Sequence, residues 1–168
     1  MIEAPTILSD SWTNAFLCAV RMQIGVPFHE QARIPGEALD CAGVVTASAG
    51  MAGVDLEDLA GYNIKGSDYS EKLIEYARLN ADEVTMDAAI AGDVVLFWIG
   101  DESKPRHIGI LVPGSKGNSL DLNEKFNLVH TSNSAGKVIM HPFSAKWQRH
   151  AHSTWRIRKF QEVYPWPK

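Results

Sequence analysis

The sequence holds little that would tie it to a special environment. It has two cysteines, Cys18 and Cys41, too few for the disulfide framework of a small secreted scaffold. No apolar run approaches the ~20 residues needed to cross a bilayer, so no membrane insertion is expected. The N-terminus lacks a basic stretch followed by an apolar one, so no leader peptide is expected either. The chain is read as cytoplasmic when synthesised, with any extracellular destination reached another way. Positive charge is also scarce: the formal net charge is -4 and the pI is near 5.8, which argues against nucleic-acid binding through a broad cationic surface. The one basic cluster, Lys146, Arg149, Arg156, Arg158 and Lys159, alternates near its end with Trp155, Ile157 and Phe160 and reads as the solvated face of a strand. There is no internal repeat and no low-complexity segment.

The composition is that of an ordinary globular protein. Of 168 residues, 45% are hydrophobic and 21% charged, enough to bury a core without disulfides or metal. A single domain over 1–168 is expected, with its core at about 11–160 and loop insertions at about 53–69 and 113–125. Ser9 to Ile24 carries capping candidates (Ser9, Asp10, Ser11) and then Trp12, Ala15, Phe16, Ala19 and Val20 at helical spacing, stopped by Gly25 and Pro27. Within it Cys18 reads as a small core hydrophobe. A second helix opens at Cys41 and runs to about Met51, rich in small residues that let neighbours pack close. Ser70 is the expected cap of a third, over Glu71 to Leu79. Strand signals then take over: 94–99 after Gly92-Asp93, a polar turn at 100–105, 107–112, 126–130, 137–141 and 154–160. Helices first and antiparallel strands second describe an α+β domain, N-terminal helices packed on a central sheet of about five strands.

Asp40-Cys41-Ala42-Gly43 is the most informative stretch. A cysteine at a helix start sits where unpaired N–H groups and the helix dipole stabilise a thiolate. A cysteine nucleophile also needs a base and a group that orients the base. His107 begins one strand and His130 ends the next, so an antiparallel hairpin would make them neighbours. Two arrangements are open: a triad in which Cys41 attacks, His107 carries the proton and His130 fixes the imidazole, or two structural histidines with satisfied hydrogen bonds. Asp40 could cap the helix, contact a substrate amine, or both. A disulfide from Cys41 to Cys18 would consume the nucleophile.

The ordered segments Asp40-Cys41-Ala42-Gly43-Val44-Val45, Ala91-Gly92-Asp93-Val94-Val95-Leu96-Phe97, His107-Ile108-Gly109-Ile110 and Val129-His130-Thr131-Ser132 resemble the signature of NlpC-type cell-wall cysteine peptidases. Gly25-Val26-Pro27-Phe28 resembles the segment preceding the cysteine, especially in phage-derived members. The resemblance covers roughly Ser11 to Phe160. It implies a circularly permuted papain-like α+β fold and hydrolysis of amide bonds in peptidoglycan stem peptides, typically beside D-γ-glutamyl and diamino acid residues. It also implies Cys41 as nucleophile, His107 as base, His130 as the third polar member, and neither metal nor organic cofactor. Asp40, Phe28 and Ala42 fall at substrate-binding positions. Ala42 replaces a serine common in the family, and Phe28 stands where many relatives have a tyrosine whose hydroxyl lies near the nucleophile. The partners implied are peptidoglycan peptides and, for phage-derived members, phage tail proteins in a virion-borne enzyme. Two other functions fit the same residues: an amidase or thioesterase on a non-wall substrate, and a catalytically silent tail component. The other histidines read as surface or structural: His29 in the approach loop, His141 closing a strand, His150 and His152 flanking a turn. A metal site of His141, His150 and His152 lacks an acidic or cysteine partner. Trp98, Trp147, Trp155 and Trp166 read as core or rim aromatics.

Overall fold

A computed structural model describes residues 11–59, 61–100 and 103–158. Ser9, Asp10, Asp101, Glu102, Lys159, Phe160 and Trp166 lie outside the described residues.

Helix α1, Ser11–Met22, buries Phe16, Ala19 and Val20, with Gln23 just beyond its end. These positions recur every three or four residues and make the inward stripe. Trp12 continues that stripe toward the helix start but is partly exposed, with its ring against Gly53, and Ala15 and Cys18 are exposed, the latter contrary to its reading as a core residue. Both cysteines are free. Gly25, at φ +91°, turns the chain out of α1, a conformation glycine adopts without cost. A short hairpin of β1, Arg33–Ile34, and β2, Ala38–Leu39, follows. It delivers the chain to α2, Cys41–Met51, whose small side chains are buried almost throughout. Smallness is required there: a Cβ on Gly43 would lie 2.3 Å from the Ala32 carbonyl oxygen.

Helix α3 spans Tyr69–Asn80. It opens earlier than expected, so the cap position falls on Asp68, and Ser70 is buried inside the first turn. Strand β3, Ala81–Val84, follows directly, then β4, Val94–Trp98, β5, Pro105–Pro113, the short helix α4, Leu122–Lys125, β6, Phe126–Ser132, β7, Lys137–Pro142, the short helix α5, Ala145–Arg149, and β8, Ala151–Ile157. The sheet is antiparallel with six strands in the order β3-β8-β4-β5-β6-β7. The additional strand is β3. Ala81-Asp82-Glu83-Val84 has no strand-like alternation and becomes a strand by pairing with β8, Ala81 opposite Ile157 and Val84 opposite Thr154. Strand β8 also begins earlier than expected, so His152 lies within it and only His150 stays in the turn.

The central strands β4, β5 and β6 are buried on both faces. Leu96, Ile108, Ile110 and Val129 pack with Phe16, Val20, Val44, Val45 and Leu73 of the helices. Val95, Phe97, Leu111 and Leu128 pack with Phe143 and Trp147 on the other side. This double burial explains the continuous apolar runs at 94–98 and 108–112. Helix α2 contacts β5 and β6, which sets Cys41 at the N-terminal end of α2 against the start of β5.

Candidate active site

Asp40 caps α2 by accepting a hydrogen bond from the Gly43 N–H at 2.8 Å. Cys41, the first helical residue, is 6% exposed. Its Sγ lies 3.2 Å from the Tyr69 hydroxyl, at the first residue of α3. Burial pushes the Cys41 thiol up to about 11, and the Asp40 carboxylate adds to that rise. The Tyr69 hydroxyl and the backbone N–H groups of Ile108 and Ala42 act in the opposite sense, favouring the thiolate. Burial and the neighbouring Cys41 push the Tyr69 phenol up as well, so it stays protonated and can donate to sulfur.

Asp40 does more than cap. Its Oδ1 also accepts from Arg33 Nη1 at 2.8 Å, and its Oδ2 accepts from the Gln31 N–H at 2.8 Å and from the Tyr62 hydroxyl. Fully buried and ion-paired, the carboxylate has each oxygen doubly engaged. Gln31 takes φ 61° to aim its N–H there. Arg33 also donates from Nη2 to the Tyr62 hydroxyl at 2.8 Å and from Nε to both oxygens of Asp58 at 3.0 Å. Tyr62 stacks on Tyr69 with centroids 5.5 Å apart, and the Arg106 guanidinium lies 5.7 Å from the centroid of the Tyr69 ring. Arg106 Nη2 in turn donates to the carbonyls of Ile64 and Gly66 at 2.6 and 3.2 Å. The segment 61–68, part of the irregular insertion expected at about 53–69, is therefore fastened beside Cys41 and forms a wall of its cleft.

The expected hairpin brings the histidines together. β5 and β6 pair with Ile110 opposite Val129, so the start of one strand lies beside the end of the other. His107 Nε2 and His130 Nδ1 are 2.8 Å apart. That contact leaves His107 Nδ1 as the ring nitrogen available to the cleft. Burial drives the His107 imidazole down to about 3, with the neighbouring His130 adding to the effect. Burial likewise lowers His130 to about 4, helped by His141 and opposed by the Thr131 carbonyl. Burial thus favours the thiol at Cys41 and the neutral imidazole at His107. The row continues further than the sequence indicated, with His130 Nε2 2.9 Å from His141 Nε2, and His141 Nδ1 2.8 Å from the Pro142 carbonyl. The Trp147 indole covers all three rings, its centroid 6.0, 4.5 and 5.4 Å from those of His107, His130 and His141.

A cleft of about 220 Å³ opens onto this cluster, lined by Phe28, Asp40, Cys41, Tyr69, Arg106 and His107 and also by Lys65, Thr131 and Asn133. His130 stands behind His107. Ala42 has no exposed surface, and its N–H faces the Cys41 sulfur. Phe28 lines the cleft, and the hydroxyl beside the Cys41 sulfur comes from Tyr69 on a different element. Sequence reasoning missed Tyr69, Tyr62 and Arg33, and a faint signal was present: three of the four tyrosines, Tyr62, Tyr69 and Tyr76, recur at seven-residue spacing after α2. His29 is exposed and bonds the Glu30 carbonyl. His141, His150 and His152 do not converge, since the latter two contact the Lys146 carbonyl and the Ser153 hydroxyl. Among the described residues, no group of three His, Cys, Asp or Glu side chains is placed to share a metal ion.

Residues 25–156 match the model of the NlpC/P60 family. A Staphylococcus aureus protein described as similar to lipoprotein, NLP/P60 family, superposes with TM-score 0.61 at 18% identity over 94% of this chain and 45% of its own. The NlpC/p60 domain of the peptidoglycan hydrolase SagA gives 0.55 at 17% identity, covering 86% of this chain and 98% of that one. RipD of Mycobacterium tuberculosis, described as a non-catalytic NlpC/p60 domain protein adapted to peptidoglycan binding, gives 0.54 at 13% identity, over 86% and 95%. The chain spans less than half the length of the staphylococcal protein. No curated protein matches it. At these identities the likeness concerns the fold, which is papain-like α+β.

Proposed function

This chain belongs to the NlpC/P60 family, and from that premise we propose that it is a cysteine peptidase or amidase that hydrolyses amide bonds in peptidoglycan stem peptides. The observation that carries the proposal is the coincidence, in one cleft, of a cysteine at a helix N-terminus and a buried histidine bonded to a second histidine at 2.8 Å. A catalytically silent member would need none of the three.

The chemistry follows from the geometry. Cys41 Sγ attacks the scissile carbonyl as His107 Nδ1 takes the thiol proton. Burial favours the neutral form of each group, so this transfer accompanies attack and no standing ion pair is required. The Cys41 N–H, at the first helical position, has no intrahelical acceptor and is placed to meet the developing oxyanion. The Tyr69 hydroxyl steadies the sulfur. His107 then protonates the leaving amine, and water hydrolyses the thioester to release the acid and regenerate the thiol.

The charge of the cleft supports an acidic peptide. Asp40 is neutralised by Arg33, while Lys65 and Arg106 line the opening. A D-γ-glutamyl residue joined to a diamino acid would bring its α-carboxylate toward these cations, so the substrate carboxylate is matched by Lys65 and Arg106, with Asp40 acting as a structural anchor. Mass spectrometry of purified muropeptides after incubation is the test. The native protein should release fragments cut on the carboxyl side of D-glutamate, and Cys41→Ala should release none. Equal digestion by the two would remove Cys41 as nucleophile.

A further inference from the structure

The geometry points to His141 as a positioning residue that sets which nitrogen of His107 carries its proton, acting through His130. The inference rests on the reading of Cys41 as nucleophile and His107 as its base.

His130 Nδ1 has two neighbours that make incompatible demands. The Thr131 carbonyl at 2.8 Å can only accept, so it calls for a proton on Nδ1. His107 Nε2, also at 2.8 Å, must donate if His107 Nδ1 is to be bare and able to receive the thiol proton, and that calls for a lone pair on His130 Nδ1. A neutral imidazole has one proton, so the choice is made at its other nitrogen.

That nitrogen, His130 Nε2, meets His141 Nε2 at 2.9 Å. His141 is fixed in turn, because its Nδ1 faces the Pro142 carbonyl at 2.8 Å and must donate there. Neutral His141 therefore presents a bare Nε2 that accepts from His130 Nε2–H. His130 Nδ1 is left bare, His107 donates Nε2–H into it, and His107 Nδ1 faces the cleft as a base. Each proton in the row is specified from the Pro142 end. The Thr131 carbonyl is the one contact left unsatisfied by this ring.

With a proton on His141 Nε2 instead, the order reverses. It then donates to His130 Nε2, His130 places its proton on Nδ1 toward Thr131, and the His107 proton moves to Nδ1, where it blocks the transfer from Cys41. The groups facing His141 are the His130 imidazole from β6, the Trp147 indole from α5 and the Pro142 carbonyl of its own strand. Unlike His130, which is buried, His141 is half-buried and reachable from solvent.

Alkylation of Cys41 by iodoacetamide, followed by peptide mass spectrometry as a function of pH, reads the state of the base without any wall substrate. A Cys18→Ser background removes the exposed second thiol. His141→Phe keeps the ring volume and removes the acceptor, and it should lower the alkylation rate of Cys41 at neutral pH about tenfold, the equivalent of one pKa unit. His141→Gln, whose amide oxygen can accept from His130 Nε2–H, should restore most of that rate. A Phe variant with the native pH profile, or Phe and Gln variants equally impaired, would overturn the assignment. Nitrogen NMR of the native protein tests the same point without mutation. Protons at His141 Nδ1, His130 Nε2 and His107 Nε2 are expected, and a proton at His130 Nδ1 contradicts the relay. Normal alkylation behaviour without muropeptide cleavage would uphold the relay and sink the substrate reading.

Discussion

At the scale of single residues, the site is built from groups with very different visibility in sequence. Cys41 is legible because local grammar marks a helix start, and His107 and His130 because strand ends in a hairpin must meet. Tyr69 is not legible. It reaches the sulfur through a loop whose path depends on Arg33, Arg106 and Gln31, and no spacing rule links those residues. Tyr69→Phe removes the hydroxyl donor while keeping the ring that stacks on Tyr62. A hydrogen bond to a charged group contributes about 1.5–3 kcal/mol, so kcat/KM on muropeptides should fall about tenfold or more with the melting temperature nearly unchanged. His107→Ala should abolish turnover, whereas His130→Ala should leave measurable activity, because it orients the base and carries no transferred proton. Steady-state kinetics of the two variants, side by side, gives that order or reverses it.

At the scale of elements, α2 shows how closely function and packing are joined. Gly43 is small because the chain entering β1, at Ala32, crosses the helix at backbone distance. Gly43→Ala would set a methyl 2.3 Å from the Ala32 oxygen. Since that neighbour is backbone, the cost should be about 1–3 kcal/mol or more, read as a lowered midpoint in urea unfolding. The displaced Ala32–Arg33 segment would also loosen Arg33 from Asp40, so activity should fall with stability. Boundaries were less legible than elements. β3 has acidic residues where a strand pattern needs apolar ones, and only its partner β8 makes it a strand. Helix α3 begins at Tyr69 because that ring is needed in the core against Tyr62, which outweighs the capping preference of Ser70.

At the scale of the whole molecule, the buried histidines couple the site to stability. His107 and His130 have folded-state values near 3 and 4, below the ordinary value of 6.5. An unfolded chain therefore binds protons at these positions that the folded one refuses. Their contribution is complete above about pH 6.5 and is lost as pH falls toward 4. Cys41, raised to about 11 from 9.0, works at the other end, and its contribution is lost as pH rises above about 9. Urea unfolding midpoints should be flat near neutrality and fall on both sides. Replacing His107 and His130 together by Asn should flatten the acid side, and an unchanged acid slope would show that other groups set it. No helix among the described residues is long and apolar enough to cross a membrane.

The sheet order adds a kinetic consequence. Strand β8 lies between β3 and β4, and Arg156 in β8 clasps Asp93 at the head of β4 with two hydrogen bonds of 2.8 and 2.9 Å. While a ribosome is still making the chain, β4 waits with one bare edge, and β3 with no partner at all, for a strand translated about 55–75 residues later. Such edges invite strangers. The nascent protein is accordingly most exposed to misassembly after Cys41 and His107 have emerged and before residue 151 has, an interval in which a chaperone holding the β3 and β4 edges would matter more than at any other time.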